Sequence, residues 1–143
     1  MNTTLKFFVT LALYSLISLS CQKEETIAKP EIQLIEVGYD NTGTVKAGSD
    51  LHLEAEVTAE GKISIIRIII HPEGDNGMKN VLSEGWEFDS TYTEFASLKN
   101  CEFHKHIPIP ASADTGMYHL DFTVTDQEGN QSSIDSDVRI LPK

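Results

Sequence analysis

From residue 31 onward, apolar and polar positions alternate in short runs separated by turn-forming clusters. Glu31-Ile32-Gln33-Leu34-Ile35-Glu36-Val37 reads as a first strand. Leu51, Leu53, Ala55 and Val57 alternate with His52, Glu54 and Glu56, the pattern of a strand with one buried face. The run 63–70, broken only by Ser64 and Arg67, suits a central strand. Further strands are predicted over 102–109, 117–125 and 132–141. Asp40-Asn41-Thr42-Gly43, Lys46-Ala47-Gly48-Ser49, Glu60-Gly61-Lys62 and Asp126-Gln127-Glu128-Gly129-Asn130 supply the turns. Residues 71–80 are rich in Gly, Pro, Asp and Asn and read as a loop. Residues 82–95 carry Trp86, Phe88, Tyr92 and Phe95 among acids. They predict one or two short edge strands that cover the core, in preference to a sugar-stacking platform. No helical period and no internal repeat is present. About seven short strands at this spacing predict an all-β sandwich over residues 31–143.

The corner before the strand at 117–125 sharpens the fold. Asp114-Thr115-Gly116-Met117-Tyr118 resembles the tyrosine corner of immunoglobulin domains, where the tyrosine hydroxyl bonds back to upstream backbone. The cysteine that usually follows two residues later is Leu120 here, and no partner cysteine stands in the strand at 51–57. The expectation is an immunoglobulin-like sandwich without a disulfide. The strands at 31–37, 51–57 and 102–109 should form one sheet, and those at 63–70, 117–125 and 132–141 the other.

The N-terminal segment has a different character. Residues 1–20 place Lys6 before an uncharged apolar run from Phe7 to about Leu19, too short to span a bilayer comfortably. This is the pattern of a secretory signal. Leu16-Ile17-Ser18-Leu19-Ser20-Cys21 resembles a bacterial lipobox, which implies lipidation of Cys21 and a lipidated tether over residues 21–30. Gln22-Lys23-Glu24-Glu25 resembles the lysine-plus-acidic signal that sends Bacteroidetes-type lipoproteins to the outer face of the outer membrane. With the run FHKHIPIPASADTGMYHLDFTVTDQEGN and the His71-Pro72-Glu73-Gly74 loop, most of the mature chain resembles a domain-of-unknown-function family of Bacteroidetes lipoproteins. The resemblance implies an immunoglobulin-like fold and a lipid-anchored, surface-exposed place on the outer membrane. It implies no activity.

Charge narrows the partners. The chain has 22 Asp and Glu against 11 Lys and Arg, a formal net charge of −11. Such a surface repels a phosphate backbone, so nucleic acid is not an expected partner. It can attract cations.

Strand parity then sorts the five histidines. His52 faces out of the strand at 51–57. His104 and His106 share the parity opposite to Phe103 and Ile107, so they face out together. His119 and Asp121 face out opposite Leu120 and Phe122. If Ile66, Ile68 and Ile70 are core, Arg67 and His71 face out as well. In a sandwich of this order all five fall toward one pole, away from the start of the first strand. His52, Glu54, His104 and His106 should share one outer face. His71, His119 and Asp121 should share the other, with Glu73 and Asp75 on a loop between them. The two faces are too far apart for one ion to span.

Imidazole with carboxylate is the ligand set of zinc, copper, nickel or iron. His52, His71, His104, His106, His119 and Asp121 are therefore the candidate metal residues. Cys101 shares the inward parity of Phe103 and should pack in the core. Asp126 to Asn130 could suit calcium, but a hairpin turn calls for the same residues. There is no Gly-x-Ser-x-Gly, no phosphate-cradling glycine loop and no His-Glu-x-x-His. The expected function is capture of a metal or metal complex without catalysis. The other class is an accessory domain that binds an envelope protein or glycan without a metal, which an exposed aromatic patch around Trp86 and scattered histidines would favour.

Overall fold

Eight strands carry the alternation seen along the chain. They are β1 (Glu31–Val37), β2 (Thr44–Lys46), β3 (Asp50–Thr58), β4 (Ile63–Pro72), β5 (Phe88–Tyr92), β6 (Asn100–Pro108), β7 (Gly116–Asp126) and β8 (Gln131–Leu141). The structure is a computed structural model that describes residues 26–73 and 85–143. The signal segment, residues 21–25 of the tether including Cys21, and Asp75 lie outside the described residues. No helix among the described residues is long and apolar enough to cross a membrane.

The strands form two sheets, β1-β3-β6 and β2-β8-β7-β4-β5. The division of the six longest strands is the one expected of an immunoglobulin-like sandwich. Two features differ from the expectation. The short strand β2 occupies Thr44–Lys46, between two segments that read only as turns, and pairs in parallel with the end of β8. Strand β4 also runs on through His71 and Pro72, where the composition suggested loop, because both pair with β7.

The core lies between the sheets. Leu51, Leu53, Phe103 and Ile107 from one sheet meet Ile66, Ile68, Ile70, Leu120, Phe122 and Val124 from the other, all buried. Phe103 and Phe122 join the layers edge-to-face, with centroids 5.0 Å apart and planes at 83°. Such a pair adds about 0.5–1.5 kcal/mol beyond its burial. The tyrosine corner forms as predicted: buried Tyr118 donates its hydroxyl to the Asp114 carbonyl at 3.0 Å.

Trp86 and Phe88 pack on the core, with Trp86 5.9 Å from the Tyr118 ring centre. Both are half-buried, so they cover the core and present no exposed platform. Cys101 is a free, half-buried thiol packed on the same core, and burial pushes its pKa up, which keeps it protonated. The Asp126 carboxylate is consumed by its own hairpin. It accepts the Glu128 and Asn130 backbone N–H groups at 3.0 and 2.7 Å, and the Asn130 side-chain amide at 2.9 Å.

β6 is an edge strand, and Lys105 breaks its inward apolar parity. Its ammonium pairs with Glu94 at 2.8 Å and lies 5.5 Å from the Tyr92 ring centre. A charge aimed inward at an edge discourages the addition of a further strand.

Candidate functional site

Register builds the site from two neighbouring strands. β3 and β6 pair antiparallel so that His52 stands opposite His106 and Glu54 opposite His104. Leu51, Leu53, Phe103 and Ile107 point into the core, so these four polar residues must point out. His52 Nε2 lies 3.0 Å from His104 Nε2, and His104 Nε2 lies 3.4 Å from His106 Nε2. The three ligand atoms fall within 4.8 Å of one another. The rings of His52 and His106 stack at 5.0 Å and 20°. Glu54 Oε1 lies 3.3 Å from His52 Nε2 and 3.4 Å from His104 Nδ1.

Nitrogen donors about 2.0–2.1 Å from a tetrahedral ion sit about 3.3–3.4 Å from each other. The His104–His106 separation matches that spacing, the His52–His104 separation is a few tenths of an ångström shorter, and the three imidazoles together could hold one ion. The sheet fixes the backbone beneath them by register, so binding would order side chains and little of the chain. All three donors rise from one face of a sheet, so an ion would sit above that face with its remaining position toward Glu54 or solvent.

A third strand contributes through an irregularity. The register of β1 on β3 shifts between Leu34 and Glu36, and Ile35 is the extra residue. Ile32 and Leu34 pack toward the core, but past the bulge it is Val37 that is buried and Glu36 that turns outward. Glu36 then stands opposite Glu54, and its Oε1 reaches 3.2 Å from His52 Nδ1. That contact is too bent for a hydrogen bond, so buried Nδ1 is left without one. Burial raises the Glu36 carboxyl, but the His52 ring beside it and the Asp40 and Asn41 backbone amides bring it below its ordinary value.

The turn after β1 supplies those amides. Gly38, Asp40 and Asn41 all have positive φ, at 73°, 55° and 53°. At Gly38 a Cβ would come within 2.7 Å of the Thr44 carbonyl oxygen, so only glycine fits. Its N–H bonds the His52 carbonyl at 2.8 Å, which docks the turn on β3. Tyr39, exposed at the top of this turn, lies with its ring centre 5.3 Å from that of His52 and 6.3 Å from that of His106. Neither Glu36 nor Tyr39 was legible as part of the site. Simple alternation from Ile32 and Leu34 sends Glu36 inward, and only the polarity of residue 36 beside apolar Val37 hinted otherwise.

The second group lies on the outer face of the other sheet. His71 and His119 are register partners, with ring centres 5.7 Å apart. Asp121 lies 3.7 Å from each of them. Two further carboxylates come from β8: Asp135 lies 3.9 Å from His119 Nε2, and Asp137 lies 3.6 Å from Nδ1. Both His119 nitrogens thus face carboxylates, and the separations are those of loose, exposed ion pairs.

All five histidines do gather at one pole. The Ala47 N–H bonds the Leu141 carbonyl at 2.9 Å and the Gly48 N–H bonds the Ile109 carbonyl at 3.0 Å. These bonds bring the ends of β6 and β8 beside the start of β3. The chain enters at the other pole, where Glu31 pairs with Thr58 and Ala28 N–H contacts Glu60 at 3.4 Å.

No curated protein matches the chain. Its fold is similar to the crystal structure of a DUF4466 family protein from Parabacteroides merdae ATCC 43184, with a TM-score of 0.54 and 13% sequence identity. The similarity covers 80% of this chain and 45% of that one, so the chain spans less than half of that protein. It concerns the fold alone. The sequence itself gives a narrower placement: residues 19–141 match the profile of the domain of unknown function DUF4625, and the chain belongs to that family.

Proposed function

We propose that this protein is a lipid-anchored module of the outer cell surface that captures a transition metal ion, zinc, copper, nickel or iron, or a small complex of one, through His52, His104 and His106. The observation that carries the reading is the pair of Nε2 separations, 3.0 and 3.4 Å, within one registered strand pair. Glu54 is the nearest carboxylate for a fourth position. Cross-strand carboxylates at Glu36 and Glu54 would repel without a positive partner, which also favours a cation. The reading involves no catalysis and no nucleic acid. The ion is bound once and held on a face turned away from the chain's point of entry.

Titration of the soluble domain with zinc at neutral pH tests this. One ion per chain should bind tightly, and the double variant His71→Ala/His119→Ala should bind it with little change. Binding no stronger than that of a pair of surface histidines would sink the reading. So would a double variant that loses the ion, because the site would then lie on the wrong sheet.

The anchor rests on the lipobox resemblance at Cys21. Cys21→Ser is expected to move the protein from the membrane fraction to the soluble fraction of its host. Retention in the membrane fraction would refute lipidation at this position.

A further inference from the structure

An imidazole that binds a metal through Nε2 must carry its proton on Nδ1, and the group facing Nδ1 decides whether it does. Around His52 the two ring nitrogens have distinct surroundings. Nε2 faces His104 Nε2 at 3.0 Å and Glu54 Oε1 at 3.3 Å. Nδ1 is buried, without a hydrogen bond, and the nearest acceptor is Glu36 Oε1 at 3.2 Å. Resting on the metal reading above, we propose that Glu36 is the outer-shell positioning residue of the site, selecting the Nδ1–H form of His52 and aiming its Nε2 at the ion.

Three structural facts converge on this. The Ile35 bulge turns Glu36 to the metal face, against the alternation of the preceding residues. Bulges recur where a side chain must be re-aimed beside a site. The turn that follows, with positive φ at Gly38, Asp40 and Asn41, brings the Asp40 and Asn41 backbone near enough to the Glu36 carboxyl to lower it. The Gly38 N–H then ties this turn to the backbone carbonyl of His52 itself. Carboxylate, turn and imidazole are thus linked through neighbouring backbone. Were an ion held at Nε2, the proton would stay on Nδ1, and Glu36 Oε1, 3.2 Å away, would be the carboxylate placed to accept it. The cost of placing Glu36 opposite Glu54 would be reduced in that state by the cation beside Glu54.

Two measurements test Glu36 separately from the metal reading. In the metal-free protein, nitrogen chemical shifts of His52 report its tautomer. Nδ1–H should dominate in the native chain, and that preference should weaken in Glu36→Ala. With zinc, Glu36→Ala should bind about 10–100-fold more weakly than the native chain, the range for loss of an outer-shell partner. Glu36→Gln keeps an acceptor and should recover part of that loss. Glu102→Gln removes one charge from the same face without touching His52, and should shift affinity much less. The proposal is overturned if the tautomer is unchanged in Glu36→Ala, or if Glu36→Ala binds no worse than Glu102→Gln. A native chain that shows the tautomer preference but no tight zinc binding overturns the metal reading and leaves the Glu36–His52 pairing standing.

Discussion

Replacing both His104 and His106 by alanine is expected to weaken zinc binding by at least about a hundredfold, with little loss of stability. Loss of a single outer-shell partner already costs about 10–100-fold, and this variant removes two of three direct donors. The remaining His52 would bind as one imidazole among solvent. Both replaced side chains are exposed and face away from the core, so the apolar packing of β6 is unaltered. Surface changes of that kind usually fall within about 0.5 kcal/mol. Calorimetric titration reads the affinity, and thermal unfolding without metal reads the stability. Added zinc should raise the unfolding midpoint of the native chain and leave that of the double variant unmoved, since an ion that binds only the folded state stabilises it by mass action. A variant that kept native affinity would place the ion elsewhere. Binding should also weaken in acid, because protons compete for the same imidazole nitrogens.

The second large effect lies on the other side of the same strand. Phe103→Ala should destabilise the domain by about 3–5 kcal/mol, the usual cost of removing a buried phenyl ring. Phe103 is 1% exposed, and its ring meets those of Tyr92, Phe95 and Phe122 at 5.1, 5.6 and 5.0 Å. No neighbour can fill that space without giving up contacts of its own. Because domains of ordinary size hold only about 5–15 kcal/mol in total, the variant should unfold well below the native midpoint. Chemical denaturation measures the loss. If zinc binds the face that β6 presents, zinc at about a hundred times its dissociation constant should return about 2.7 kcal/mol of it. A loss under 1 kcal/mol would show that Phe103 does not bridge the two sheets.

Sequence pattern carried the fold far because alternation is a direct trace of burial. Leu51, Leu53, Ala55 and Val57 mark one face of β3 without ambiguity, so the outward place of His52 follows. The same holds for His104 and His106 around Phe103, and for His119 around Leu120. The pairing of β3 with β6 required only the strand order of the immunoglobulin-like sandwich. What alternation could not give were the features that depart from it. The bulge at Ile35 reverses parity for the rest of β1, and Glu36 arrives on the face of His52 and Glu54 because of it. β2 is three residues long, too short for a period to register, and it exists through its parallel pairing with a strand nearly a hundred positions away. Asp135 and Asp137 join the second histidine group through register with β7, with His119 opposite Asp137 and Asp121 opposite Asp135. The alternation in β8 names no neighbours for them across the sheet. Tyr39 reaches His52 because a left-handed turn folds back over β3, and no local composition fixes that direction.

The antiparallel run of β3 sets a distance as well as a register. His52 stands near one end of the strand, and Thr58, opposite the first residue of β1, stands at the other. At a rise of about 3.3 Å per residue the two are about 20 Å apart. In physiological salt the field of a charged surface decays over about 8 Å. A chain held by its N-terminal end with β3 upright would therefore lift His52 and its register partner His106 more than two screening lengths above the level of Thr58. There they would meet ions at the concentration of the surrounding fluid, outside the layer that an anionic envelope enriches.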